Sequence, residues 1–424
     1  MKRLIFSILS ALTILLTSVN AQSCTDVVVS LAIDNPFMLI NGETAEIDAG
    51  RETCAIIIND RTLVPIRAII EAFGGEVVWD NSTRSSKIFL GTDSVTLTLG
   101  STDAAVNGNL YTLDTAPAII NDRTMLPLRF IAEGFGLGIA WKSETKTVYV
   151  IKNGFDEDEY NALTAQLPPY SGEPYCEVFE NVPQFKEYEI IDASFEYYSK
   201  TDELDRCDVC IASVSEDIMP TEERESISSV IPSGWKSVKY DNISGKYLYN
   251  RCHLIGFQLT GENANKQNLI TGTRYLNVDA MLPFENMVAE YIEETNNNVM
   301  YRATPVFSGE NLVADGVLLE AYSIEDNGEG ISFCVYCYNV QPGILIDYKT
   351  GDSGIGEIIY TEYESYEPTA ESTDTKVPEI LKVYRTPRGS KYHYDAQCGG
   401  KNSYETTLSD AVLQGLTPCS KCAE

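Results

Sequence analysis

The chain is poor in histidine, poor in positive charge and almost without long apolar runs. Two histidines in 424 residues confine imidazole chemistry to His253 and His393. Lys and Arg number 31 against 62 Asp and Glu, a formal net charge of −31, and a protein of this sign repels polyphosphate at long range. Contact with an anionic polymer must therefore come from a locally basic stretch. The stretch that qualifies lies between Trp235 and Tyr275, where Lys236, Lys239, Lys246, Arg251, Lys266 and Arg274 face only Asp241 and Glu262. An uneven surface would give the same charges. The single extended apolar run, Leu4 to Leu16, is too short for a bilayer core of ~30 Å, so no transmembrane segment is expected in the mature chain. Disorder is also excluded, because 44% apolar and 10% aromatic residues can bury a core despite the charge.

Lys2 and Arg3 precede that run and Val19-Asn20-Ala21 follows it, the pattern of a signal peptide over 1–21 and of a secreted or cell-surface bacterial protein. Ala21-Gln22-Ser23 before Cys24 makes a poor lipoprotein signal. About 400 residues then remain, room for two or three domains.

Residues 22–152 contain a duplication. Asn59, Asp60, Arg61, Thr62, Pro65, Arg67, Glu71 and Trp79 recur as Asn121, Asp122, Arg123, Thr124, Pro127, Arg129, Glu133 and Trp141. Each unit predicts a turn at Asn-Asp, an extended Thr-x-x-Pro entry, a short helix ending near Gly74-Gly75 or Gly136, and two strands around the Trp. Arg67 and Arg129 are expected to form internal salt bridges. The repeat resembles the copper amine oxidase N-terminal-like, or stalk, domains of exported bacterial proteins. That resemblance implies a spacer or surface-interaction role toward the cell envelope, and no copper-ligand set accompanies it here.

Residues 153–190 are polar, with Pro168-Pro169 and Ser171-Gly172, and are expected to form a linker. A nuclease domain is expected over 191–353. Strand-like alternation at Cys207–Val214 and Gly245–Arg251 leads into His253, and Leu276, Met281, Phe284, Val288 and Ile292 have helical spacing. Phosphodiester hydrolysis needs a base, a cation to neutralise charge on the phosphorane, and stabilisation of the leaving oxygen. His253 supplies the first. Asn277, a neutral oxygen ligand near the helix start, suits Mg²⁺, or Mn²⁺, which keeps most of its water shell. An asparagine there is also a common helix cap. Arg251, two residues from His253 along a strand, is expected to share its face and contact the scissile phosphate.

The segment from Asn250 to Glu285 resembles the DNA/RNA non-specific endonucleases of the ββα-metal fold, among them the bacterial DNA-entry nucleases. Their motif is Asp-Arg-Gly-His, then two asparagines nine residues apart and a glutamate eight further on, matched here by His253, Asn268, Asn277 and Glu285. The resemblance implies that His253 is the general base, Arg251 stabilises phosphate and Asn277 ligates the metal. It also implies that Asn268 and Glu285 add hydrogen bonds to the site or to metal-bound water. Asn250 and Cys252 replace the motif's aspartate and glycine. Two other readings compete: a surface DNA-binding or adhesion protein on an inactive nuclease fold, and an interbacterial toxin, which would require an immunity or inhibitor protein.

An acidic linker is expected over 354–377 and a small domain over 378–424. His393, Cys398, Cys419 and Cys422 make a Cys3His set suited to structural Zn²⁺, against the alternative of disulfides in an exported chain. TLSDAVLQGLTPCSKC resembles the zinc-binding domain of methylphosphotriester DNA-repair proteins. Cys207 with Cys210, and Cys334 with Cys337, sit in apparent strands that send residues three apart to opposite faces, so buried thiols are expected there. The fold class expected is α+β multidomain: duplicated α+β stalk repeats, a ββα-metal core and a zinc-stabilised C-terminal domain.

Overall fold

A computed structural model describes residues 26–356 and, beyond them, 382–385, 391–393, 398, 403–407 and 417–419. The signal segment, most of the acidic linker and Cys422 lie outside the described residues. Among those described, no helix is long and apolar enough to cross a membrane.

The duplicated region is built from β1 Val27–Ala32, β2 Phe37–Ile40, β3 Glu43–Glu46, β4 Ile56–Ile58, β5 Arg61–Val64, α1 Arg67–Ala72, β6 Glu76–Asp80, β7 Ser85–Leu90, β8 Asp93–Thr98, β9 Asp103–Val106 and β10 Asn109–Thr112. It continues with β11 Ala118–Ile120, β12 Arg123–Pro127, α2 Leu128–Phe135, β13 Gly138–Lys142 and β14 Thr147–Lys152. Each repeat opens on a tight hairpin because Asn59-Asp60 and Asn121-Asp122 all take positive φ, which Asn and Asp tolerate. Gly136, in the left-handed conformation, ends α2.

One sheet runs β6 to β10 in order, and the other is β13-β14-β1-β2-β3. The second repeat therefore borrows the N-terminal three strands to complete its sheet. The two hairpins join into a third sheet where β5 pairs β12, Val64 opposite Leu126. Arg61 binds Asp114 at 2.6 Å and Arg123 binds Asp48 at 2.5 Å, one ion pair in each half. The internal salt bridges thus belong to the turn arginines and not, as expected, to Arg67 and Arg129. Arg67 makes only an exposed 3.6 Å contact with Glu71 in the same helix.

Residues 153–190 are not a linker. Asp156 caps α3 Glu157–Thr164 through a reciprocal bond with Glu159, and β15 Tyr175–Glu177 pairs with the nuclease sheet. That sheet continues through β16 Phe195–Tyr198 and β17 Cys210–Val214. The chain then leaves it for the hairpin β18 Tyr249–His253, α4 Phe257–Thr260 and β19 Leu269–Thr273. A π-helical turn, Tyr275–Met281, runs into α5 Leu282–Thr295 before β20 Val299–Val306, β21 Gly316–Ser323 and β22 Ser332–Tyr338. The sheet order is β15-β22-β21-β20-β17-β16. Its inner face packs on α5 through Val288, Ile292, Val299, Tyr301 and Leu319.

The outer face carries the stalk. Val28, Ala140 and Ile151 from the stalk pack with Phe195, Tyr197, Ile211 and Met300 from the nuclease sheet. Beside this cluster lies Arg302, 2% exposed, bidentate to Glu320 at 2.7 and 3.1 Å and bonded to Glu189 at 3.1 Å. Phe155 and Phe185 flank its guanidinium. Glu189 reaches Asn153 at the end of the stalk, and Asp26 receives Lys186 and Tyr188.

The cysteines at 334 and 337 are buried on opposite sides of β22, in different clusters. Cys207 departs from the expectation: it precedes β17 and shares one cluster with Cys210, donating to the carbonyls of Lys266 and Leu269.

Removing Arg302 strands two buried carboxylates. Arg302→Met is expected to cost ~3–5 kcal/mol, read as a lowered denaturation midpoint. A midpoint equal to wild type would show that the junction carries no such constraint.

Candidate active site

The hairpin β18–β19 sets His253 opposite Leu269 at the end where the connecting segment closes it. Hydrogen bonding to the ring is unambiguous. Nε2 lies 3.0 Å from the carbonyl of Asn263, which only accepts, so Nε2 carries the proton. Nδ1 lies 3.2 Å from Nη2 of Arg224, which only donates, so Nδ1 keeps its lone pair. Burial, aided by the nearby Arg224 charge and opposed by the bond to Asn263, lowers the imidazole pKa to about 4. A neutral ring that keeps its Nδ1 lone pair is a proton acceptor across the whole neutral range.

Asn263 works twice, because its side-chain oxygen also accepts from Glu225 N at 2.9 Å. This ties the 224–225 segment to the histidine loop and places Arg224 against Nδ1, with Phe257 under its guanidinium. Neither Arg224 nor Asn263 was visible in the sequence. Arg224 stands in Glu222-Glu223-Arg224-Glu225, where local charge is acidic and no spacing marks it.

Asn268, fully buried, accepts from Ile255 N at 2.8 Å and donates to Ile255 O at 2.9 Å. These two bonds fix the backbone of Ile255, two residues after His253.

Arg251 stacks on Trp235 and donates to the carbonyls of Val230 and Ser228. In the basic stretch Lys236, Lys246 and Lys266 pair with Asp352, Asp241 and Asp205, while Lys239 lies over the Tyr247 ring.

Asn277 stands half-buried in the π-helical turn, a local widening that often marks functional positions. It does not cap the helix, and no protein hydrogen bond to its amide is found among the described residues. Glu285 lies against the hairpin loop so closely that a Cβ on Gly256 would meet its Oε2 at 2.6 Å. Burial pushes Glu285 up to about 7 while Arg224 opposes the shift. An amide oxygen and a carboxylate with no donors of their own fit a hard divalent cation.

The two motif departures have structural accounts. Cys252 has no left-handed backbone, and its side chain fills the space above Gly272, 3.5 Å from the Met281 sulfur. Asn250 keeps a buried Nδ2 without a partner, a donor that aspartate would not bring.

In the C-terminal segment the ligand atoms of His393, Cys398 and Cys419 lie within 4.8 Å of one another. The two sulfurs are 3.9 Å apart. That is far beyond a disulfide of ~2.05 Å and close to the edge of a tetrahedron built on Zn–S bonds of ~2.3 Å.

A neutral histidine base, a guanidinium at its lone pair and oxygen donors on the adjoining helix define a nucleic-acid hydrolase. Residues 186–324 match the DNA/RNA non-specific endonuclease family. Residues 39–150 match the copper amine oxidase N-terminal domain. Among solved structures, the chain is similar to NucA from Streptococcus agalactiae with magnesium ion bound, at 23% identity and a TM-score of 0.40, covering 47% of this chain and 97% of that one. It is also similar to Sda1 nuclease with bound zinc ion, at 24% identity and a TM-score of 0.37, covering 45% of this chain and 100% of that one.

With two histidines in the chain, imidazole NMR resolves His253. In metal-free protein it is expected to stay neutral, protonated at Nε2, down to about pH 4, and Arg224→Ala should raise that pKa. Because the folded pKa is depressed, the unfolded chain binds the extra proton between about 4 and 6.5, so this group's contribution to stability grows as pH rises through that window. A midpoint near 6.5 in both proteins would contradict the burial argument.

Proposed function

We propose that the protein is an exported, metal-dependent non-specific endonuclease hydrolysing DNA, with RNA open to the same phosphate chemistry. The carrying observation is His253, neutral and with Nδ1 facing a guanidinium. In this reading Nδ1 takes the proton of the attacking water. Arg224 exchanges its contact with Nδ1 for the scissile phosphate as substrate enters. Asn277 would supply the protein ligand of the cation, with the Glu285 carboxylate as a hydrogen-bond acceptor beside it. Bound there, Mg²⁺ or Mn²⁺ neutralises charge on the phosphorane and leaving oxygens. Contacts confined to phosphate carry no base code, which is the physical basis of a non-specific cut. The C-terminal His393, Cys398, Cys419 and Cys422 hold a structural Zn²⁺ that takes no part in hydrolysis, and export follows from the N-terminal pattern at 1–21.

Plasmid and RNA cleavage with Mg²⁺ should vanish in EDTA. It should fall ~10²–10⁴-fold in His253→Ala and ~10²–10³-fold in Arg224→Ala, and Asn277→Ala should need far more metal. Well-folded wild type that cuts neither substrate at low salt with Mg²⁺ or Mn²⁺ would end the enzyme reading. Elemental analysis should return one zinc per chain, lost in Cys419→Ser with cleavage retained. Zinc-free wild type with a Cys398–Cys419 disulfide would replace the metal by a covalent bridge.

A further inference from the structure

The duplication leaves two equivalent grooves that nuclease chemistry does not use. In the larger, of about 700 Å³, the second repeat's turn (Asp122, Arg123) closes over the first repeat's Arg67, Glu71 and Trp79. In the smaller, of about 280 Å³, the first repeat's turn (Asp60, Arg61) closes over Arg129 and Trp141. The turn Asp and Arg, the helix Arg and the Trp of one groove are the repeat counterparts of those in the other, while Glu46, Asp48 and Glu71 line only the larger, and both volumes are near the usual range for ligand sites of roughly 300–1,000 Å³.

Folding explains only some of the identities shared by the repeats. The Asn-Asp turns need positive φ, and Arg61 and Arg123 hold their ion pairs. Trp79 and Trp141 are not core residues: they remain 39% and 38% exposed. Arg67 and Arg129 are exposed on the helices beside them. An indole and a guanidinium kept identical twice, on the surface and facing the same groove, are unexplained by packing.

We propose that these grooves bind a glycan chain. An indole face offers a platform for the apolar face of a pyranose, and neighbouring guanidinium and carboxylate groups pair with its hydroxyls. In the smaller groove Arg61 and Arg129 face Asp60, with Arg61 paired to Asp114, so charge selects against the other repeating polymer at hand, nucleic acid, only in the larger. In the larger groove Glu46, Asp48, Glu71 and Asp122 outnumber Arg67 and Arg123, and Arg123 is already neutralised by Asp48. A phosphodiester would meet net negative charge there. Two equivalent sites on one rigid domain further suit a ligand made of repeated units, since a second contact on the same strand gains from effective concentration.

The test is co-sedimentation of the full-length His253→Ala protein with purified peptidoglycan sacculi stripped of anionic polymers, with single-stranded DNA as competitor. Binding is expected to be saturable and unaffected by DNA. It should weaken at least tenfold in Trp79→Ala/Trp141→Ala and in Arg67→Ala/Arg129→Ala. The same pairs of substitutions in the wild-type background should leave plasmid cleavage unchanged, which separates this site from the nuclease reading. The arginine pair lies on the exposed helix surface and covers the case in which the tryptophan pair misfolds. No sedimentation of the parent protein, undiminished binding by both variants, or displacement by DNA would each overturn the proposal.

Discussion

His253 sits between a group that can only accept a hydrogen bond and a group that can only donate one. The Asn263 carbonyl and the Arg224 guanidinium together leave the imidazole one tautomer and one orientation. Much of the surrounding structure serves to keep those two partners in place. Asn268 locks Ile255, Asn263 ties the Arg224 segment to the loop, and Gly256 lets Glu285 approach where any side chain would collide. Without this scaffold a buried histidine has no fixed proton position, and a base with an uncertain lone pair is a poor one.

The acidic balance of the chain acquires a local meaning from the same geometry. Three of the four lysines of the basic stretch are paired with aspartates, which leaves no broad unpaired basic surface there. The proposed mechanism therefore relies on the single guanidinium beside His253, together with a cation at the helix oxygens. In the proposed mechanism, charge is supplied where it develops in the transition state and not spread over the binding surface. Such an arrangement favours turnover over tight ground-state binding.

How much of this was legible in the sequence follows from the range of each interaction. The strand carrying His253, the helix carrying Glu285 and the turns of the duplicated units are local patterns: the turns fold where their residues put them, the strand is displaced to Tyr249–His253 from the expected Gly245–Arg251, and Asn277 falls in a π-helical turn ahead of the α-helix. For Arg251, strand alternation gives a side chain's face but not its partners. Here the Val230 and Ser228 carbonyls and the Trp235 ring claim it first. Arg224 was invisible because it lies 29 residues from His253 along the chain, in an irregular acidic loop whose course is set by the Asn263 side chain. The expected linker at 153–190 was misread for a related reason. Its polar composition hides Asn153, Phe155, Phe185 and Glu189, which surround an arginine far along the chain.

That arginine changes the role of the N-terminal repeats. A spacer needs only to fold, yet these repeats close their second sheet with the first strands of the domain and bury one face on the nuclease sheet. Arg302 and Glu320 are cross-strand neighbours inside the nuclease sheet, and Glu189 brings a second carboxylate to the guanidinium only because the segment leaving the stalk is held against them. A flexible tether would let water reach this cluster, and the bidentate pair would then be worth little. The burial of the ion pair therefore requires a fixed junction, and a fixed junction gives the grooves of the repeats a constant orientation relative to His253. Whatever the stalk holds, it presents to solvent on a body rigidly joined to the active site.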